Sequence, residues 1–247
     1  MSRDKIQNTK TSNETALKLK QVMLAYHDFQ ADKQAHANSH ELTKLTLWQS
    51  ERLKHSHQDL YHAPEYTQGL SFLFDELYSA QDFSDRDKDL ERIFPKMIKL
   101  LPKNVIGTVS LLVELNLLTQ KLDHELAHAI FHTLNNTEIN EQNYCEAYRL
   151  CNNQDQRNHQ IHLTSELGVK MDKYARSSLI NFSLKITETP AEMAGLSKLH
   201  SFIMRGFSAF YSMKDIQKLM YTLTHRESVI LHNIFNDHER PFLIRNA

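Results

Sequence analysis

Glycine and proline are scarce along this chain, and that scarcity restricts its fold more than any other feature. The 247 residues include five of each, about 2% apiece against roughly 7% and 5% in average usage. Folds rich in β-strands need these residues at their many turns. The sequence therefore predicts an all-α protein, a multi-helix bundle of about 8–9 amphipathic helices with no significant β-sheet.

Apolar residues recur at the helical period over most of the sequence. The clearest stripe lies in the last predicted helix, about residues 214–237, where Ile216, Leu219, Leu223 and Ile230 fall on one side. No segment alternates apolar and polar residues over the length of a strand. We therefore expect one continuous core between packed helices.

Two segments that contain proline predict where helices end or begin. Pro95 interrupts a helical pattern and is expected to kink or end it, because proline has no backbone N–H to donate. Residues 189–192, Thr-Pro-Ala-Glu, predict a helix start with Thr189 as the N-cap and Glu192 as its capping-box partner. That helix is expected to reach about Tyr211.

The chain is predicted to form a single all-α domain over residues 11–238. The polar residues 1–10 are expected to be a disordered N-terminal tail, and residues 239–247 a C-terminal tail. The best candidate for a subdomain break is the asparagine pair at residues 152–153, since asparagine is common where helices end.

The balance of charges argues against two kinds of partner. There are 29 basic and 30 acidic residues, interspersed, for a net charge of −1. A nucleic-acid-binding protein usually carries a basic stripe, and a peripheral membrane protein a polybasic segment. We therefore expect neither nucleic acid nor membrane as a partner.

The apolar segments favour a cytoplasmic protein. Residues 1–10 lack the apolar core of a signal peptide. The most apolar stretch, residues 105–118, is too short to span a bilayer and carries Glu114. Cys145 and Cys151 would point about 120° apart on one helix, so we expect two separate reduced thiols.

Residues 124–128 read His-Glu-Leu-Ala-His and match the H-E-x-x-H pattern of zinc hydrolases. In those enzymes two histidines one helical turn apart bind Zn²⁺, and the glutamate between them polarises the attacking water. His124, Glu125 and His128 are therefore the candidate metal ligands and catalytic groups of this sequence.

Two features count against a zinc enzyme. Leu118, Leu122 and Leu126 define the apolar face of this helix, and both motif histidines lie about 120° or more from it. No H-x-x-G-x-x-H continuation and no distinct third ligand follow. We therefore assign no catalytic residue, no metal and no cofactor. Solvent-facing histidines are favoured, ahead of adventitious metal binding by His124, His128 and His132.

Residues 72–78, Phe-Leu-Phe-Asp-Glu-Leu-Tyr, resemble the namesake string of the bacterial FFLEELY-motif family. Phe72, Glu76, Leu77 and Tyr78 match that string, and residues 47–53, 86–102 and 190–210 are similar to further parts of the family. The resemblance covers about residues 15–236. It implies an α-helical bacterial protein that forms one unit, and it implies no established activity, cofactor or catalytic residue.

By exclusion, the sequence favours a non-enzymatic interaction or regulatory protein that acts through a homo-oligomeric or partner surface. That hypothesis predicts an exposed apolar patch larger than the few hundred Å² usual for monomers. Two alternatives stay open. One is a metal-dependent hydrolase that uses residues 124–128. The other is a ligand- or cofactor-binding helical bundle with an internal cavity. Phe202, Phe207 and Phe210 could line a cofactor pocket, but a core in which Gly206 lets a neighbouring helix approach closely is favoured for them.

Overall fold

A computed structural model describes residues 2–35, 39–77 and 84–244 of the chain, and all regular structure in those ranges is helical. The prediction of an all-α protein is therefore confirmed for the described residues. Ten of the thirteen described α-helices have seven residues or more, slightly more than the number expected. In chain order they are α1 (Ser2–Asn8), α2 (Glu14–Ala35), α3 (Ser39–Ser56), α4 (Gln58–Tyr61), α5 (Thr67–Ser71), α6 (Ser84–Leu100), α7 (Lys103–His128), α8 (Glu141–Leu150), α9 (Gln154–Ala175), α10 (Ser178–Ile186), α11 (Glu188–Met193), α12 (Ser197–Ser212) and α13 (Ile216–Phe235).

Two short π-helical segments extend α-helices. Phe72–Leu77 continues α5, and Ala129–Thr133 continues α7. A π-helical turn is wider than an α-helical one, and such turns occur often at functional sites. Both segments border the pockets of this protein.

The chain divides into two compact units, each assembled from three stretches. Unit 1 comprises Met1–Ala37, Asp82–Leu117 and Lys173–Ser208, and the remaining stretches form unit 2. Neither unit is a continuous segment, so the single domain over residues 11–238 stays a prediction. Asn152 ends α8 with a left-handed φ of 48°, but it lies inside unit 2 and not at a boundary between units.

The core of unit 1 explains why the first residues form a helix. Ile6 of α1 is fully buried and packs with Leu19 and Phe94, and Arg3 forms an ion pair with Asp28 at 2.7 Å. The structure therefore differs from the predicted disordered tail over residues 1–10, because one isoleucine anchors α1 to the core.

The core of unit 2 is built mainly from α3, the end of α7, α8 and α13. Leu45, Leu126 and Ile230 are buried at its centre. Phe242 also packs there, with its ring centroid 6.0 Å from that of Trp48. The predicted C-terminal tail, residues 239–247, thus contributes at least one side chain to the core.

The helix does not end at Pro95, and the helix start predicted at Thr189 differs from the structure. α6 continues through Pro95 to Leu100, because the buried side chains of Phe94 and Met97 hold it against the core on both sides of the proline. α11 begins at Glu188, one residue before the predicted N-cap, and stops at Met193. The break follows at Gly195, whose φ of +65° is readily adopted only by glycine.

One helical segment, Lys103–Thr133, is long and apolar enough to cross a membrane by length and composition. It extends beyond the apolar residues 105–118 that the sequence singles out. A third of the residues in its most apolar window are buried (33%), and the core helix of a soluble protein meets the same criterion.

Candidate functional site

The His-Glu-Leu-Ala-His segment lies at the end of α7, with its apolar side in the core of unit 2. Leu126 is fully buried, whereas Glu125 and His128 are exposed and His124 is half-buried. The three polar side chains border a shallow surface pocket together with Cys151. Glu125 and His128 therefore face the surface of unit 2, whereas the Nε2 atom of His124 is buried.

No third metal ligand completes this motif in the described part of the chain. Glu125 Oε2 accepts a hydrogen bond from Asn153 Nδ2 at 2.8 Å. Burial raises the pKa of the neighbouring Cys151 thiol, so the thiol stays protonated at neutral pH and is a poor ligand. Among the described residues, no group of three His, Cys, Asp or Glu side chains could hold a metal ion.

A second pocket of unit 2 is a partly enclosed cavity of about 130 Å³. Its wall is formed by α3, the π-helical Phe72–Leu77 segment, α7, α8, α9 and α13. Empty voids in protein cores are usually lined by apolar side chains. This cavity is different, because charged side chains stand among the aliphatic ones: Arg52, Asp123, Arg157 and Glu227.

The first charged group of the cavity is a three-residue network around Glu227. Its Oε1 accepts a hydrogen bond from Arg52 Nη1 at 2.6 Å and lies 2.8 Å from His57 Nε2. The His57 side chain is fully buried, and only 13% of the Arg52 side chain is exposed. The three side chains come from α13, α3 and the short loop between α3 and α4.

This network fixes the charges of its members. Burial alone would disfavour the Glu227 carboxylate, but the charge of Arg52 and the hydrogen bond with His57 outweigh burial and lower the pKa of Glu227 to about 2. Burial also opposes the charge of Arg52, yet the carboxylate raises the pKa of Arg52 above its ordinary value. The pair is therefore ionised at neutral pH.

The second charged group is Arg157, near the start of α9, which is 3% exposed. Its Nη2 donates to the backbone carbonyl of Leu122 at 3.1 Å, and its guanidinium lies 4.4 Å from the centroid of the Tyr148 ring. Burial opposes the charge, but Tyr148, Tyr144 and Asp123 raise the pKa of Arg157. Arg157 is thus a buried cation held by a carbonyl and an aromatic face.

Three buried nitrogen atoms of these side chains have no hydrogen-bond partner among the described residues. They are the Nε atoms of Arg52 and Arg157 and the Nδ1 atom of His57. Native proteins satisfy most buried polar atoms, so each exception calls for a physical explanation. All three side chains line the cavity, although these three atoms are themselves covered by protein and not by the cavity.

Aromatic rings form one side of the cavity. Tyr144 and Tyr148 of α8 border it, and Trp48 stacks on the outer face of Tyr144 with ring centroids 4.2 Å apart. Burial raises the pKa of both tyrosines, so they remain neutral phenols. The wall therefore offers aromatic surface beside the two guanidinium groups.

The π-helical Phe72–Leu77 segment contributes Leu73 and Phe74 to the cavity wall. The Ser50 hydroxyl of α3 donates to the Phe74 carbonyl at 3.2 Å in the buried interior. The string that resembles the FFLEELY motif therefore begins at this cavity. Tyr78 and the side chains of residues 75–77 lie outside the described residues.

A family model described as a domain of unknown function (DUF8198) matches residues 28–241. The chain belongs to this family. The match includes both pockets of unit 2 and most of unit 1. No curated protein and no solved structure matches the chain.

The cavity of this DUF8198 chain is lined by residues that no motif in the sequence marks as a site. Phe202, Phe207 and Phe210 are absent from its described wall. The sequence of α13 does indicate one residue of the cavity wall. Glu227 lies about 40° from Leu223 and 60° from Ile230 around the helix. A carboxylate in the middle of an apolar stripe indicates a buried polar network.

The described wall of the DUF8198 cavity suits binding more than covalent chemistry. It contains no serine or cysteine nucleophile among the residues described. Its one carboxylate–imidazole pair, Glu227 and His57, is engaged by Arg52, whose charge keeps Glu227 ionised and makes it a weak base. The other groups of the wall are a second carboxylate on Asp123, hydroxyl and amide groups that both donate and accept, aromatic faces and aliphatic side chains, which recognise ligands.

Proposed function

We propose that this DUF8198 chain is a non-enzymatic protein that binds a small molecule in the cavity of unit 2. The observation that carries the proposal is the pair of largely buried arginine side chains, Arg52 and Arg157, in the wall of a partly enclosed cavity. Of the functions considered from the sequence, the ligand-binding helical bundle is the one that this geometry favours.

A purely structural role accounts less well for the same groups. Buried ion pairs contribute little net stability, and apolar side chains of similar volume often replace them without loss. A network kept for packing would also be expected to satisfy its donors. A binding site instead leaves donors for its ligand, at some cost to the stability of the unliganded protein.

A cavity-filling substitution tests the proposal. Ile161 borders the cavity on α9, and Ile161→Phe should occupy part of the space and abolish ligand binding. Val169→Phe is the matched control, because Val169 is on the same helix but is 50% exposed. The measurement is a thermal-shift screen of small fragments against the full chain. Fragments that stabilise the wild type and the control but not Ile161→Phe are expected; equal shifts in all three would refute the proposal.

A second candidate function is self-association through unit 1. None of the nine residues of α10 is buried. Leu179, Phe182 and Ile186 are 72%, 62% and 57% exposed and lie within about 60° of one another on the helix. A two-fold axis beside this stripe would bury it against the same stripe of a second copy. The net charge of −1 produces little repulsion between copies.

Sedimentation of wild type and Phe182→Glu over a range of concentrations tests self-association. The charge should shift the wild-type dimer towards monomer by at least about tenfold in Kd. Thr189→Glu adds the same charge at an exposed position of α11 and should leave the dimer unchanged. A wild type that stays monomeric at the highest concentration would reject this candidate.

Location and origin complete the proposal. We infer a bacterial protein, since residues 72–78 resemble the FFLEELY-motif family, and we propose a cytoplasmic location. Nucleic acid and membrane surfaces are not proposed as partners, because basic and acidic residues are balanced and interspersed. A metal-dependent hydrolase is not proposed, because the described residues supply no third ligand to His124 and His128.

A further inference from the structure

Two guanidinium groups, those of Arg52 and Arg157, belong to the cavity wall of unit 2. Arginine is always protonated in proteins, so the Nε–H groups of Arg52 and Arg157 can only donate. Both Nε atoms are buried and have no acceptor among the described residues, and the other N–H groups of each guanidinium are also donors only. The complementary ligand must therefore bring acceptor atoms.

The two arginines differ in charge balance. Arg52 forms an ion pair with Glu227 at 2.6 Å. Arg157 donates to a neutral carbonyl and forms no ion pair within the described part of the chain. Asp123, the other carboxylate of the wall, accepts a hydrogen bond from Gln49 Nε2 at 3.1 Å. Tyr148, Tyr144 and Asp123 favour the charge of Arg157, but buried cations are normally paired directly, so Arg157 is the group of this wall that an anion would complete.

The remaining wall restricts which anion can bind. The carboxylates of Glu227 and Asp123 also line the cavity, and they would repel a ligand with two or more negative charges. Aliphatic and aromatic side chains cover much of the rest and leave a small inorganic ion without partners. A single negative charge on an apolar body is the chemistry that fits all of these groups.

The size of the cavity limits the apolar body. An engineered cavity of about 150 Å³ in another protein holds benzene, and the cavity here measures about 130 Å³. A ligand of about as many non-hydrogen atoms as benzene is therefore the largest that fits without rearrangement. Butyrate has that number of non-hydrogen atoms.

On the basis of the proposed binding function, we propose that the ligand is a small aliphatic monocarboxylate. Its carboxylate accepts hydrogen bonds from Arg157, and its chain lies against the tyrosine and leucine side chains of the wall. Arg157 is the residue that selects a carboxylate over a neutral molecule of the same shape, because a bond from a guanidinium to a charged acceptor is much stronger than one to a neutral acceptor.

Calorimetric titration of the full chain with butyrate and with butyramide tests this inference, because the two probes have nearly the same shape and differ in charge. Butyrate should bind at least about tenfold more tightly than butyramide. Arg157→Met should remove that preference. Arg205→Met is the matched control, since it deletes the same charge at an exposed position, and it should retain the preference.

Two further measurements keep the test decisive. Trp48 is the only tryptophan of the chain and stacks on Tyr144 of the wall, so its fluorescence reports both the fold of each variant and the binding of butyrate. If Arg157→Met fails to fold, Arg157→Lys retains the charge with a different donor geometry. That variant should bind butyrate about tenfold or more weakly than the wild type.

The outcomes separate this inference from the proposed function. Equal affinity for butyrate and butyramide, or binding of inorganic phosphate in place of butyrate, would overturn the monocarboxylate inference and leave a ligand-binding cavity. Absence of butyrate binding would also overturn it. The proposed function fails only if the fragment screen finds no ligand that Ile161→Phe excludes.

Discussion

Unit 2 contains two groups of ionisable side chains that could hold a ligand, and they contrast in almost every physical property. His124, Glu125 and His128 carry a recognisable motif, yet Glu125 and His128 are exposed and border a shallow pocket. Arg157 and Glu227 carry no motif, yet they are largely buried around a cavity. Water screens the first group, whereas the interior strengthens every interaction of the second.

The contrast shows that the burial of a charged side chain indicates a role in stability or binding better than its spacing in a sequence motif does. An H-E-x-x-H string specifies that two histidines share a helix face, and it does not specify what faces them. A charged residue on the apolar face of a helix is expected to be buried, and a buried charge requires hydrogen-bonding or oppositely charged partners.

The largest difference is expected between two conservative glutamate substitutions. Glu227→Gln leaves the buried Arg52 without its carboxylate and should lower the free energy of unfolding by about 3 kcal/mol. Glu125→Gln, at the exposed motif, should lower it by less than about 1 kcal/mol. Urea denaturation of both variants measures the difference. Equal losses would mean that the buried network contributes no more than the motif.

The pH dependence of the unfolding free energy should show how much of the stability comes from the Glu227 carboxylate. The ordinary pKa of Glu227 is 4.5 and its folded value is about 2, so the carboxylate contributes about 3 kcal/mol of stability. Because the folded pKa is the lower one, that contribution is complete above about pH 4.5 and is lost as the pH falls towards 2. The gap in unfolding free energy between wild type and Glu227→Gln should therefore narrow over this range. A gap that stays constant in acid would show that Glu227 titrates normally.

The smallest effect is expected at the motif histidines. Elemental analysis of the untagged protein should find no stoichiometric zinc, and His128→Ala should change the unfolding free energy by less than about 0.5 kcal/mol. Equimolar zinc that disappears in His128→Ala would reverse the comparison, since it would make the exposed motif the functional site.

Much of the fold can be predicted from the sequence, because the helical period and the lack of turn residues act over whole segments. The stripe of Ile216, Leu223 and Ile230 is buried on α13 as predicted. Local signals predict less well where the tertiary structure opposes them. The burial of Phe94 keeps α6 intact through Pro95, and the burial of Ile6 orders α1.

The candidate site is harder to predict, because it depends on which helices pack against one another through their apolar faces. Arg52, Arg157 and Glu227 are far apart in the sequence, and no spacing rule connects them. Glu227 alone carries a signal, its position among apolar residues of α13. The partners of Glu227 and the cavity beside them follow only from the packing of α3, α8, α9 and α13 in unit 2.

The most direct test of the buried network is the hydrogen exchange of the arginine Nε–H groups, measured by NMR on protein labelled with ¹⁵N-arginine. Substitutions of Arg52 and Arg157 assign their two signals. We predict that both exchange with water much more slowly than that of the exposed Arg205, and that the Arg157 signal shifts when butyrate is added. Exchange of the Arg52 and Arg157 groups as fast as that of Arg205 would contradict the account, since it would place these groups in water.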